Sequence, residues 1–194
     1  MRLCAFGEST VNGTGDPQHL GWVGRALAGR RDATLYNLGI RREASDELAA
    51  RWKGEALLRW TEAEPMRLVF GFGLNDCILE AGRPRVSPEQ AEANARMILG
   101  EAGRMCPTLM VGPPPPADSG LRERAGALNV RLAQASASVG APYVDVFDAL
   151  LADPLWMEEI ASWDGAHPGG EGYEHMAAIV TAHPAWTALL SPTT

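Results

Sequence analysis

Five short apolar runs punctuate the chain: Leu3–Phe6, Leu35–Leu38, Leu68–Phe72, Leu109–Val111 and Tyr143–Phe147. None alternates strictly between apolar and polar positions, the pattern expected of parallel strands covered on both faces. Longer amphipathic stretches separate them and predict helices over Leu20–Arg30, Ser45–Trp60, Pro88–Met105 and Leu121–Ser138. In the second, Leu48, Trp52, Ala56 and Trp60 recur every fourth residue. They share one helix face, so both tryptophans are expected in the core. A last helix is expected over Glu171–Ala182, opened by Pro168-Gly169-Gly170. Strand–helix units joined by right-handed crossovers predict an α/β fold, a doubly wound three-layer αβα sandwich on a five-stranded parallel sheet.

Ligands of such sheets bind beyond the carboxyl ends of the strands. Three short motifs fall there: Gly7-Glu8-Ser9, Asn37-Leu38-Gly39 and Gly73-Leu74-Asn75-Asp76 close the first three runs. A fourth, Asp164-Gly165-Ala166-His167, precedes the last predicted helix, in a loop that can return to the same edge. Pro113-Pro114-Pro115-Pro116 follows the fourth run and should form a stiff rim there, because proline cannot extend the sheet.

The composition narrows the class. With 194 residues, 46% hydrophobic and 21% charged, the chain reads as a single globular domain over residues 1–194. A net charge of −7 argues against non-specific nucleic-acid binding. No apolar stretch is long enough to span a bilayer, and the first residues lack the features of a signal peptide. Cys4, Cys77 and Cys106 are odd in number and lack CxxC spacing, which suggests neither a disulfide framework nor a zinc knuckle. A reducing, cytoplasmic location is expected.

The four motifs supply a hydroxyl, a base with a carboxylate, and donors for a developing oxyanion, the parts that acyl transfer needs together. Ser9, alone, is more often a helix cap or turn former; beside Gly7, a tight turn can present its hydroxyl to a pocket. Among four histidines His167 has Asp164 three residues upstream; His19 has Asp16 at the same spacing but lies in a polar loop. Asp164 can accept from one ring nitrogen and leave the other free to face Ser9. His19, His175 and His183 read as surface or packing residues. Gly39 could bring a backbone N–H close to substrate, and Asn75 could aim an amide donor. Singly, each is better explained as a strand-end turn or a helix cap; in conjunction and order they favour catalysis.

Competing chemistries are weaker. The Gly13-Thr14-Gly15 loop lacks the later glycine of a dinucleotide fingerprint, and no phosphate loop follows. His167, Glu171, Glu174 and His175 do not have H-E-x-x-H spacing, so no metal and no cofactor is expected. Cys77 is expected to be a small buried hydrophobe, and Trp163, beside Asp164, a wall of the pocket.

Gly7-Glu8-Ser9, Asn37-x-Gly39, Gly73-x-Asn75-Asp76 and Asp164-x-x-His167 resemble, in order, the four sequence blocks of the SGNH hydrolase superfamily, the GDSL-type esterases and lipases. The resemblance spans residues 7 to 167. It implies a flavodoxin-like sandwich, a Ser9–His167–Asp164 triad, and an oxyanion hole built from the N–H groups of Ser9 and Gly39 and the side chain of Asn75. The implied substrate is a small-molecule carboxylic ester, cleaved through an acyl-enzyme on Ser9. The family also contains thioesterases, lysophospholipases and carbohydrate acetylesterases, and the triad does not distinguish them. A non-catalytic binding domain is a further alternative, although no triad member is missing. Two positions depart from the family's pattern: Glu8 stands where aspartate is usual, and Arg41-Arg42 where many members carry a small Ser-Gly turn. Without a lid-sized insertion, short acyl groups are expected. Arg41 and Arg42 could favour an anionic leaving group, with a solvated or salt-bridged pair the plainer expectation.

Overall fold

A computed structural model describes residues 1–191. In chain order the first elements are β1 (Arg2–Gly7), α1 (Ser9–Asn12), α2 (Gly21–Ala26), β2 (Thr34–Gly39), α3 (Ser45–Leu58) and β3 (Met66–Gly71). A 3-10 turn at Asn75–Cys77 leads into a small hairpin, β4 (Leu79–Glu80) and β5 (Arg83–Pro84), and then α4 (Pro88–Met105). The remainder is β6 (Thr108–Val111), α5 (Ser119–Ser138), β7 (Tyr143–Val144), α6 (Phe147–Leu151), α7 (Pro154–Ala161), α8 (Gly170–Ala182) and α9 (Pro184–Leu190). Five strands pair in parallel in the order β2-β1-β3-β6-β7, and β4 with β5 forms a separate antiparallel pair. This is the three-layer α/β architecture expected.

Side-chain alternation along the strands divides the interior into two cores. Cys4, Phe6, Leu68, Phe70 and Met110 face α3, α4 and α5, where Trp52 sets its edge against the Phe70 ring at 5.5 Å. Leu3, Ala5, Val69, Leu109 and Val111 face α2, α7, α8 and α9. Arg67 points into this second layer with only 2% exposure. Its Nε donates to Leu189 O at 2.5 Å and its Nη2 to Ser191 O at 2.7 Å. The guanidinium thus satisfies carbonyls at the end of α9, where the helix dipole also favours a cation.

Helix starts follow from local chemistry. Ser87 Oγ accepts from Gln90 N with Pro88 in the first turn, and Asp118 Oδ1 accepts from Leu121 N. The N-terminus of α3 has Ala44 at its cap, so its donors are met from elsewhere: Glu47 takes Ala44 N and Asp76 takes Ser45 N.

Some boundaries differ from expectation. The helix expected to reach Trp60 stops at Leu58, and Trp60 lies outside the core at 38% exposure. The helix expected over Leu20–Arg30 spans only Gly21–Ala26, in a segment that carries Gly24 and Gly29. The fifth strand is two residues long because Asp145 Oδ1 accepts from Phe147 N and turns the chain into α6. The helix after His167 is followed by α9, opened by Pro184 with His183 as its cap. β2 is an edge strand with Thr34 and Asn37 exposed, so it is not covered on both faces. No helix among the described residues is long and apolar enough to cross a membrane.

The carboxyl edge of the sheet is flush. Gly7 sits in register with Gly39 on one side and Gly71 on the other. The row lets α1 rest directly on the strand ends: a Cβ would lie 2.9 Å from Val11 Cγ2 on Gly7, 2.8 Å from it on Gly71 and 2.3 Å from Asn12 N on Gly39, and one on Gly7 would also lie 1.9 Å from Gly71 O of the next strand. Gly7 also has φ +149°, a region side chains rarely adopt. Gly7→Ala is therefore expected to lower stability by about 3 kcal/mol or more, seen as a fall in Tm of about 6–12 °C or as insoluble protein. A thermal melt within 2 °C or so of the parent would contradict this account of the edge.

Candidate active site

Ser9 opens α1 immediately after the β1 strand end, with Glu8 extended between them. Glu8 O accepts Val11 N at 3.1 Å and Asn12 N at 3.0 Å, which closes the turn. Ser9 is buried at 6% exposure, and its Oγ lies 2.6 Å from His167 Nε2. His167 Nδ1 lies 2.7 Å from Asp164 Oδ2. A carboxylate can only accept, so Nδ1 carries the proton and Nε2 faces the serine hydroxyl as acceptor.

The loop holding this histidine is tied down at several points. Gly165 N donates to Ile160 O at 2.8 Å, and Gly165 O accepts from Ala117 N, just beyond the proline run, at 2.7 Å. The run itself is buried, and Pro115 O accepts Trp156 Nε1 at 3.1 Å. Asp164 Oδ1 takes the N–H groups of Ala166 and His167 at 3.1 and 3.0 Å. Burial alone would raise the Asp164 carboxyl; the hydrogen bond from His167 and these backbone donors outweigh it and hold the pKa below the ordinary value. Gly15 packs against the backbone end of His167, where a Cβ would come within 3.2 Å of His167 Cβ and 2.6 Å of Pro168 O. The Gly13-Thr14-Gly15 loop thus packs against the histidine.

Candidate oxyanion donors converge from three loops. As first residue of α1, Ser9 has no intrahelical acceptor for its N–H. Gly39 N donates to Asn37 Oδ1 at 3.2 Å, and Asn37 Nδ2 in turn donates to Val11 O at 2.8 Å. Gly39 N–H is therefore engaged at long range and must turn or share to meet a substrate oxygen. Asn75 Nδ2 uses one hydrogen on Glu43 O at 3.0 Å, which fixes the amide plane.

Glu8, apparent in sequence only as a departure from pattern, is the hub beneath these groups. Its carboxyl is 1% exposed and accepts Leu74 N at 3.1 Å and Asn75 N at 3.0 Å. The turn bearing Ser9 is thus joined to the turn bearing Asn75. Asp76 extends the same support by accepting Ser45 N at 2.7 Å. Burial raises the Glu8 pKa to about 8, against the two N–H donors, and the Asp76 pKa to about 6. An aspartate or glutamate followed three loops away by a strand-end Gly-x-Asn carries no local signature of this contact.

Other predicted residues take plainer roles. Cys77 is buried, and burial pushes its thiol up to about 12, away from thiolate chemistry. His175 is surface-exposed against Asp153 Oδ2 at 2.5 Å, and His19 is exposed in its loop. Trp163 is 56% exposed with its ring 5.8 Å from that of His167, at the mouth of the site. A cavity of about 550 Å³ is lined by Thr108, Pro142 and Leu189 at the opposite end of the sheet.

The profile of the GDSL-like Lipase/Acylhydrolase family matches residues 5–175. The chain belongs to this family. Comparison with curated proteins gives no significant match. Among solved structures, a lipase/acylhydrolase from Enterococcus faecalis aligns with a TM-score of 0.75 at 22% identity, over 93% of each chain. A lipolytic G-D-S-L family protein from Veillonella parvula aligns at 0.74 and 18% identity, over 93% of this chain and 96% of its own. An acetylxylan esterase from Geobacillus stearothermophilus aligns at 0.71 and 17% identity, over 95% of each chain. At these identities the likeness is one of fold.

The raised Glu8 pKa has a definite sign in stability. Unfolded, the carboxyl ionises near its ordinary 4.5, while folded it holds its proton to about 8, so its contribution declines as pH rises between those values. Glu8→Gln removes the titration, although its amide must face one backbone N–H and so lowers stability by a pH-independent amount. Relative to the parent, the variant should gain on the order of 3 kcal/mol between pH 4.5 and 8. Urea titrations of both proteins at the two pH values check this; a constant difference would mean that Glu8 is ionised throughout.

Proposed function

We propose that the chain is a serine esterase that cleaves small carboxylic esters through an acyl-enzyme. The continuous hydrogen-bonded line Ser9 Oγ–His167 Nε2–His167 Nδ1–Asp164 carries this reading. His167 removes the hydroxyl proton as Ser9 attacks the acyl carbon, and Asp164 holds the ring and stabilises the imidazolium that forms. Negative charge builds on the carbonyl oxygen between Ser9 N–H, Gly39 N–H and the second N–H of Asn75 Nδ2. His167 then protonates the departing alcohol, and an incoming water, deprotonated by the same imidazole, releases the acid.

Short acyl groups fit the economy of the surrounding loops. β2 connects to α3 through residues 40–44 alone, and the loop carrying His167 spans residues 162–169 between α7 and α8. Neither carries a segment that could cover a long chain.

An activated acetyl ester mixed with enzyme should give a burst of alcohol equal to the enzyme concentration, and Ser9→Ala should abolish it. Full turnover by that variant would remove Ser9 from the mechanism. Asn75→Ala should lower kcat about 10²–10³-fold, the usual effect of losing one oxyanion donor, with KM much less affected. A raised KM with kcat unchanged would instead mark Asn75 as a contact made equally in the ground state.

A further inference from the structure

We infer that Arg41 is a specificity residue that recognises a carboxylate on the alcohol half of the ester. The inference rests on the esterase reading of the Ser9 site and goes beyond it to the class of substrate.

The turn that presents Arg41 is held in an unfavourable shape. Arg42 has φ +70°, a left-handed conformation that a branched or bulky residue adopts rarely. The backbone is pinned there by Arg85, whose Nη1 donates to Arg42 O at 2.6 Å. Arg85 is held in turn between Glu47 and Glu80, each at 3.4 Å. A small Ser-Gly pair would make such a turn without strain, but it would place no cation at this point.

The guanidinium of Arg41 lies over the Trp163 ring, 6.0 Å from its centroid, with Nη2 3.7 Å from Asp164 Oδ2. Trp163 in turn borders the His167 ring. Arg41 therefore stands on the histidine side of the site, and its side chain is 56% exposed. His167 Nε2 must reach the departing alcohol oxygen, so the alcohol half of the substrate leaves the acyl carbon toward this rim. The acyl oxygen points the other way, toward Ser9 N–H, Gly39 and Asn75.

Asp164 does not use up the charge of Arg41. Its Oδ2 already bonds His167 Nδ1, and its Oδ1 bonds two backbone N–H groups. At 3.7 Å Arg41 is an ion-pair neighbour of Asp164 without a hydrogen bond to it. An exposed contact of that length contributes little to stability. A planar fork of donors, oriented on an aromatic face and open to solvent, matches a carboxylate in bidentate geometry. A phosphate dianion would meet stronger repulsion from Asp164. With a net charge of −7 the protein as a whole does not draw anions, so recognition has to be local.

The test compares 4-acetoxybenzoate with its methyl ester, each kcat/KM divided by the hydroxide-catalysed rate to remove leaving-group reactivity. The preference for the carboxylate ester should fall about tenfold in Arg41→Ala, the scale of one charge-assisted contact, and recover partly in Arg41→Lys. Equal losses on both esters would show that Arg41 acts through Asp164 and overturn the proposal, as would an unchanged preference. 4-Acetoxyphenyl phosphate separates the anion classes: an equal or greater dependence on Arg41 there would overturn the choice of carboxylate. Calorimetric binding of 4-hydroxybenzoate to the parent and to Arg41→Ala reads the site without turnover. Arg41-dependent binding with no hydrolysis of either ester would sink the esterase reading and leave the anion site standing; absence of such binding would sink the anion site itself.

Discussion

The fold turns on how closely a helix can approach the end of a sheet. Gly7, Gly39 and Gly71 lie in one row across three parallel strands, and the short helix α1 rests on that row, through its backbone at Gly39 and through the Val11 side chain at Gly7 and Gly71. A single added methyl group at Gly7 or Gly39 would collide with main-chain atoms, which cannot rotate away as a side chain can. The contact places Ser9 at the centre of the carboxyl edge, within reach of loops from β2 and β3 and from the segment before α8. The distance from Ser9 to His167 is therefore a consequence of sheet register as much as of the loops themselves.

The second constraint is electrostatic. Glu8 places a carboxyl under the site where, among the described residues, no cation pairs with it and two backbone N–H groups support it. An interior carboxyl is costly in its charged form, and two donors do not offset the lost hydration. What the arrangement supplies is a rigid strut between two loops that are far apart in sequence. Asn75 is then held through its main chain by Glu8 and through its amide by Glu43 O, leaving little freedom in the remaining N–H. On the proposed reading, a donor held in this way would not need to reorient when charge appears on the substrate.

Much of this was legible in the chain, and the failures have physical reasons. Each of the five apolar runs carries a strand of the sheet, although the edge strand β2 is only partly buried and β7 keeps just Tyr143–Val144 of its run. α4 matches its predicted limits because Ser87-Pro88 is a strong start signal. Trp60 was misplaced because four-residue spacing continues past the point where the helix ends. The short helices α6, α7 and α9 were hidden by their length, although Asp153-Pro154 and His183-Pro184 carry the cap-and-proline signature. That Ser9, Asp164 and His167 meet could be anticipated because each sits in a motif at a strand or loop end. Glu8's contact with Leu74 and Asn75, and the placing of Arg41 on Trp163, depend on loop geometry that spacing does not encode.

Arg67 bears on how the chain reaches this structure. It occupies the strand at the centre of the sheet, yet of the three carbonyls that accept from it only that of Met66 is local; those of Leu189 and Ser191 come more than a hundred residues later. During synthesis, β1 and β3 can emerge and pair while this guanidinium still lacks the two distant acceptors. The second core then has a charged, hydrated foot until α9 arrives to cover it. Collapse of that layer is thereby made conditional on a late segment, and a nascent chain stalled before α9 would keep one face of its sheet wet.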